Sequence, residues 1–304
     1  ITLASCSSKR SSKPTILVFY KTGGYYHESI PTGVKAIQDL GDKNGFDVDT
    51  TTNANKFAED SLKKYAAIVF LSSTGEILSG NQEIAVERYM QAGGGFVGIH
   101  AATDAEYDWN WYVKMIGGSF KSHPANQEAT LIINDKNHPS TDSLPATWTR
   151  TDEWYNFKNL NPDVKVLISI DEKSYQGGEN GDKHPMAWYH NFDGGRVFYT
   201  ELGHTNESFS EPLYLKHILG GIQYAMGDNT ADYSKASSVF APDESHFTKT
   251  DLVKGTFFEP TEISVLPNLD VLVVQRRGEI YLYNSTSKKM KQAGFLNVYW
   301  KTNA

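Results

Sequence analysis

Gly93-Gly94-Gly95-Phe96-Val97-Gly98-Ile99-His100-Ala101-Ala102 is the stretch that decides the fold. The three glycines end a helix that opens on a capping-box pattern, Ser79 to Gln82, and runs through Ala92. Phe96 to Ile99 carries no polar side chain, the mark of a strand covered on both faces. Outward from there, Thr15-Ile16-Leu17-Val18-Phe19-Tyr20 and Ala66-Ala67-Ile68-Val69-Phe70-Leu71 are runs of the same kind. A helix from Pro31 to Asn44 lies between them, with Val34, Ile37 and Leu40 on one face and Gly45 as its stop. This β-α-β rhythm predicts an α/β fold with a doubly wound, mostly parallel sheet. In such a sheet, ligand chemistry sits beyond the C-terminal ends of the strands. Later strands are predicted at 129–133, 147–151, 164–170, 186–190 and 196–200. A closing helix is predicted from Glu211 to Met226, striped with Leu215, Ile218, Leu219 and Ile222.

The composition is that of a folded globular protein: 39% hydrophobic and 21% charged over 304 residues. The formal net charge of -7 argues against nucleic acid or an anionic membrane as the main partner, because both ask for a basic face. Aromatic residues reach 12%, with 17 Tyr and 6 Trp, which suits either a tyrosine-rich core or rings that cover sugar faces.

The single cysteine, Cys6, excludes an intramolecular disulfide. It stands in Leu3-Ala4-Ser5-Cys6 ahead of a Ser/Lys-rich tether, similar to the lipobox of a bacterial lipoprotein. Residues 1–13 are therefore expected to be a signal remnant and tether. Acyl chains on Cys6 would anchor the protein at a membrane, in the cell envelope or on the periplasmic side of the outer membrane. The main domain is expected over 14–227, a polar linker over 228–250, and a short β region over 251–304. Within that region strands are predicted at 261–266, 269–275 and 279–283, separated by Pro267-Asn268 and Arg277-Gly278.

Histidine placement is the main chemical signal. His27 follows the first strand, His100 follows the third buried strand, and His204 follows a late strand in Glu201-Leu202-Gly203-His204. Three imidazoles reaching one crevice can ligate a divalent metal such as zinc, with a carboxylate or water completing the shell. They can equally serve as acid, base and orienting group. Glu153, in Thr151-Asp152-Glu153-Trp154-Tyr155, is a candidate base, fourth ligand or sugar-hydroxyl acceptor. His123 and His184 each precede a proline, which fixes an extended backbone and aims the ring. With Trp154, Tyr155 and Trp188 they are the candidate substrate-binding residues. His138, also followed by proline, sits in a turn and is read as structural. His190, His217 and His246 are read as surface or packing residues.

These motifs carry a resemblance. Tyr26-His27-Glu28-Ser29, Gly93 to His100, Ser122-His123-Pro124, Asp152-Glu153-Trp154-Tyr155 and Gly203-His204-Thr205 occur in the order of the trehalose-utilisation (ThuA-like) family. The family is similar to class I glutamine amidotransferases, which implies a flavodoxin-like sheet. Where those enzymes carry Gly-x-Cys-x-Gly, this chain has Gly98-Ile99-His100-Ala101-Ala102, so thioester chemistry on glutamine is excluded. The resemblance implies a role in disaccharide or keto-sugar catabolism, a small carbohydrate as substrate, and metal binding in some members. The segment from Phe258 to Ile280 resembles the first blade of soluble glucose/sorbosone dehydrogenase propellers, whose quinone-binding residues lie further on; no quinone site is expected here. The alternative to a sugar-modifying enzyme is a non-catalytic carbohydrate-binding module serving such a propeller.

Overall fold

The computed structural model describes residues 13–228, 231–242, 245, 247–255 and 257–300. Cys6 and His246 lie outside the described residues. The chain divides into two compact units between Ala241 and Pro242.

The first unit runs β1 (Thr15–Phe19), α1 (Ile30–Asn44), β2 (Asp47–Thr51), α2 (Glu59–Leu62), β3 (Tyr65–Leu71), α3 (Asn81–Gln91), β4 (Gly95–Ile99) and α4 (Asn110–Ile116). It continues through β5 (Ser119–Ser122), β6 (Gln127–Ile133), β7 (Thr147–Asp152), β8 (Asn156–Lys158), β9 (Lys165–Ile170), β10 (Pro185–Phe192), β11 (Gly195–Thr200) and α5 (Pro212–Met226). Nine strands form one sheet in the order β2-β1-β3-β4-β11-β10-β9-β6-β7. The first five pair in parallel, in the 2-1-3-4-5 order of a flavodoxin-like sheet, with β11 in fifth place. Every residue of β3 and β4 is buried, as their unbroken apolar runs require. From β10 onward the pairing is antiparallel. There β7 alternates exposed and buried residues, the period of a strand with one wet face.

Two glycines of β4 let helices close on the sheet. A methyl group on Gly95 would lie 2.0 Å from the Ala225 carbonyl oxygen of α5. One on Gly98 would lie 2.5 Å from Ile116 Cδ1 of α4. Three residues apart on a strand, the two face opposite ways, so α5 and α4 cover opposite faces.

The capping box at Ser79 does not form. Gly80 caps α3 with no side-chain hydrogen bond, and the Gln82 amide donates instead to the Ser79 carbonyl at 3.0 Å, a backbone turn. The segment expected to be a polar linker continues the first unit as far as Ala241. Its Tyr233 and Phe240 pack against the main hydrophobic core.

The second unit is a four-stranded antiparallel sheet: β12 (Pro260–Val265), β13 (Val271–Gln275), β14 (Glu279–Asn284) and β15 (Lys289–Phe295). Val271, Val273 and Tyr283 form its small core.

Candidate active site: a histidine–glutamate cluster at the strand ends

The chain leaves β4 through His100, whose φ of 51° is left-handed. A residue with a side chain adopts that conformation only where its surroundings hold it there. The His100 ring is fully buried, and its Nδ1 lies 2.7 Å from the Glu201 carbonyl oxygen. A carbonyl only accepts, so Nδ1 carries a proton. Nε2 faces His204 Nδ1 at 3.2 Å and Glu153 Oε2 at 3.4 Å. His204 Nδ1 also lies 3.1 Å from Glu153 Oε2. His27 stands edge-on to both rings, 4.8 Å from His100 and 5.3 Å from His204 between centroids. Its own Nδ1 is buried without a hydrogen-bond partner among the described residues.

One ligand atom from each of His27, His100, Glu153 and His204 falls within 4.8 Å of all the others. The fit to a metal can be tested on the donors. Bonds of about 2.0–2.1 Å in a tetrahedron put ligand atoms about 3.3–3.4 Å apart. The separations of 3.1, 3.2 and 3.4 Å among His100, His204 and Glu153 are close to that edge. A ring nitrogen donating to a backbone carbonyl, as His100 Nδ1 does, is the usual support of a metal-ligating histidine. The buried, unpartnered Nδ1 of His27 fits a group that would ligate a metal there. The donor set, three imidazoles and one carboxylate, is one that zinc accepts.

Asp152 positions two of these residues. It accepts the Glu153 amide at 3.1 Å, the Gly203 amide at 3.0 Å and the His204 amide at 3.2 Å. Arg150 Nη1 at 2.8 Å and Ser208 Oγ at 3.3 Å donate to it as well. Glu201, wholly buried behind His100, accepts the Tyr155 amide at 3.2 Å. Burial, and then the charges of Asp152 and Glu153, push its carboxyl far above the usual range.

Burial pulls His27 down to about 3, helped by the charges of His100 and His204, so its ring is neutral. Burial pushes Glu153 up, but hydrogen bonds from His100 and His204 outweigh it, and the carboxylate ends well below its ordinary range. Burial pulls His204 down, and Glu153 more than reverses this.

The cluster opens into a cavity of about 380 Å³. Tyr25, Phe120 and Tyr155 wall it, and Asp104 faces it from the turn after His100. His123, half-exposed, lines it too and reaches Glu153 Oε1 at 3.0 Å. A wider groove of about 600 Å³ beside α4 contains His190, whose Nε2 is engaged by the Met115 carbonyl at 2.7 Å. It brings no second imidazole to that ring.

The structure thus brings together His27, His100, His204, Glu153, Tyr155 and His123. It does not bring Trp154, Trp188 or His184 to the cavity. Trp154 is buried with Nε1 on the Gln127 carbonyl at 2.9 Å, and Trp188 with Nε1 on the Ile116 carbonyl at 2.8 Å. His184 holds the Tyr155 carbonyl at 2.7 Å from behind. Asp104, Phe120, Tyr25, Asp152 and Glu201 escape sequence reasoning. For Tyr25, Asp104, Asp152 and Glu201 the usable signal was position, in or beside a loop leaving a strand that ends at this edge; Phe120 lies inside the short strand β5.

The trehalose-utilisation (ThuA) family model matches residues 15–225. In three dimensions the chain is similar to a ThuA-like protein from Bacteroides uniformis ATCC 8492, at 24% identity and a TM-score of 0.62 over 76% of this chain and 99% of that one. A ThuA-like protein from Parabacteroides merdae ATCC 43184 aligns at 20% identity and a TM-score of 0.60, over 72% and 92%. At these identities the likeness shows the fold alone. No curated protein matches the chain.

Proposed function

This chain belongs to the trehalose-utilisation (ThuA) family, and from its carbohydrate-related role we propose that it is a sugar-modifying enzyme with its chemistry at the His27–His100–His204–Glu153 cluster. The observation that carries this reading is the convergence of those four groups, three of them facing a cavity walled by three aromatic rings. The four residues would hold a divalent metal such as zinc. Bound there, such an ion supplies Lewis acidity toward a sugar carbonyl or hydroxyl.

The protein's own groups do the rest. The Glu201 carbonyl fixes the His100 tautomer, and Asp152 fixes Glu153 and the His204 backbone. Both Glu153 oxygens face imidazoles, which favours the fourth-ligand role over that of a free base. His123, open to solvent with Nδ1 3.0 Å from Glu153 Oε1 and 2.9 Å from the Pro124 carbonyl oxygen, is placed to pass protons between cavity and water. Phe120 and Tyr155, with ring centroids 4.4 Å apart, exclude water from one wall.

Elemental analysis of the purified protein is the test. About one metal ion per chain is expected in the wild type, and little in His100→Ala with its fold intact by circular dichroism. Equal metal content in both would remove the metal reading. Sugar affinity without any product would move the assignment to a carbohydrate-binding module.

A further inference from the structure

The cavity contains two carboxyl groups, and their surroundings differ. Glu153 has no oxygen to spare: Oε1 meets His123, and Oε2 meets His100 and His204. Asp104 lines the same cavity from the turn that follows His100. Its Oδ1 accepts the Tyr107 hydroxyl at 2.6 Å. Among the described residues its Oδ2 has no partner and no ion pair reaches the group. The Asp104 carbonyl takes the Gly75 amide at 2.8 Å, so the backbone is tied down as well. The same Tyr107 hydroxyl lies 3.3 Å from the Phe120 carbonyl, linking the carboxylate to the residue whose ring walls the cavity. Phe120 in turn packs on Tyr155 and, with ring centroids 5.9 Å apart, on His123.

A carboxylate oxygen left open beside an aromatic wall is the chemistry that recognises a sugar. The ring covers the apolar face of a pyranose. The oxygen accepts a hydroxyl proton in a charge-assisted bond, stronger than one to a neutral acceptor. Resting on the metal-site reading above, the geometry points to a division of labour in which Glu153 serves the metal and Asp104, backed by Tyr107 and beside Phe120, is the sugar-binding, specificity-determining residue. Burial holds the Asp104 carboxyl above its ordinary range, against the Tyr107 hydrogen bond and the charges of His100 and Lys158, while the charge of Glu153 adds to the rise. A group so placed gains from a donor that arrives with the ligand.

The test uses the full chain loaded with zinc, in the wild type, Asp104→Asn, Asp104→Glu and Glu153→Gln. Zinc is measured by elemental analysis, and trehalose and glucose are titrated by calorimetry. Asp104→Asn is expected to keep its zinc and to bind the better sugar about tenfold more weakly. Asp104→Glu should recover part of that loss, which a merely structural role would not show. Glu153→Gln is expected to lose zinc. Wild-type sugar affinity carried over unchanged into Asp104→Asn would overturn the division of labour and leave the metal site standing. Zinc loss in Asp104→Asn would overturn it also. A wild type that binds neither sugar would remove the sugar reading and this assignment together.

Discussion

His100 and His217 are both fully buried, and both donate Nδ1–H to a backbone carbonyl, Glu201 in one case and Ser140 at 2.9 Å in the other. What separates a candidate ligand from a packing residue is the second nitrogen. His217 Nε2 meets the Thr200 hydroxyl at 3.0 Å, a group able to donate to it. His100 Nε2 meets an imidazole and a carboxylate, where a cation is wanted. Burial pulls His217 down to about 4. Its unfolded value is about 6.5, so the unfolded chain binds the extra proton between the two. The stability this ring contributes is therefore present above pH 6.5 and lost as pH falls through 4, by up to about 3 kcal/mol. Urea unfolding between pH 7.5 and 4 should show a shallower acid loss in His217→Gln than in wild type. Parallel curves for the two would refute the assignment.

At the scale of elements, β1, β3 and β4 were legible because strands covered on both faces leave unbroken apolar runs. β2 was not, because Asp47-Val48-Asp49-Thr50-Thr51 is an edge strand with one paired neighbour and wet side chains. β5 and β8, four and three residues long, pair only with each other and leave too short a period to see. The site was legible where strand ends announce it, at His27, His100 and His204. It was illegible where ring direction decides, because Trp154 and Trp188 turn into the core. Asp104 was missed because only the tertiary fold turns it toward Glu153. The two glycines of β4 give a graded test. At Gly98 an added methyl meets the movable end of Ile116, so Gly98→Ala should cost about 1–3 kcal/mol. At Gly95 it meets the Ala225 backbone carbonyl, which cannot yield without shifting α5, so Gly95→Ala should cost more. Denaturation midpoints decide the order, and Gly98→Ala costing as much as Gly95→Ala would show that α4 is as fixed as α5.

At the scale of the whole molecule, the boundary of the site-bearing unit is a physical question about residues 228–241. Their composition is polar, which is why they suggest a linker, yet the part from Asp232 to Ala241 is tied down. The Asp232 amide donates to the Ala92 carbonyl at 2.7 Å, and Arg88 Nη1 donates to the Ser238 carbonyl at 2.7 Å. The Ala241 amide donates to Asn81 Oδ1 at 2.9 Å. The Arg88 guanidinium lies 5.3 Å from the Phe240 ring centroid, and the Lys63 ammonium 5.2 Å from that of Tyr233. Two partly buried rings and several hydrogen bonds hold the segment against the entropy of ordering it. A chain ending at Ala241 is therefore expected to unfold in one transition with the full chain's metal content. A chain ending at Gly227 should unfold at a lower denaturant concentration, with the metal site intact, because among the described residues none of His27, His100, Glu153 or His204 bonds to the strap. Equal midpoints would mean that the strap's contacts do no more than offset its ordering, and the stable unit would then end with α5.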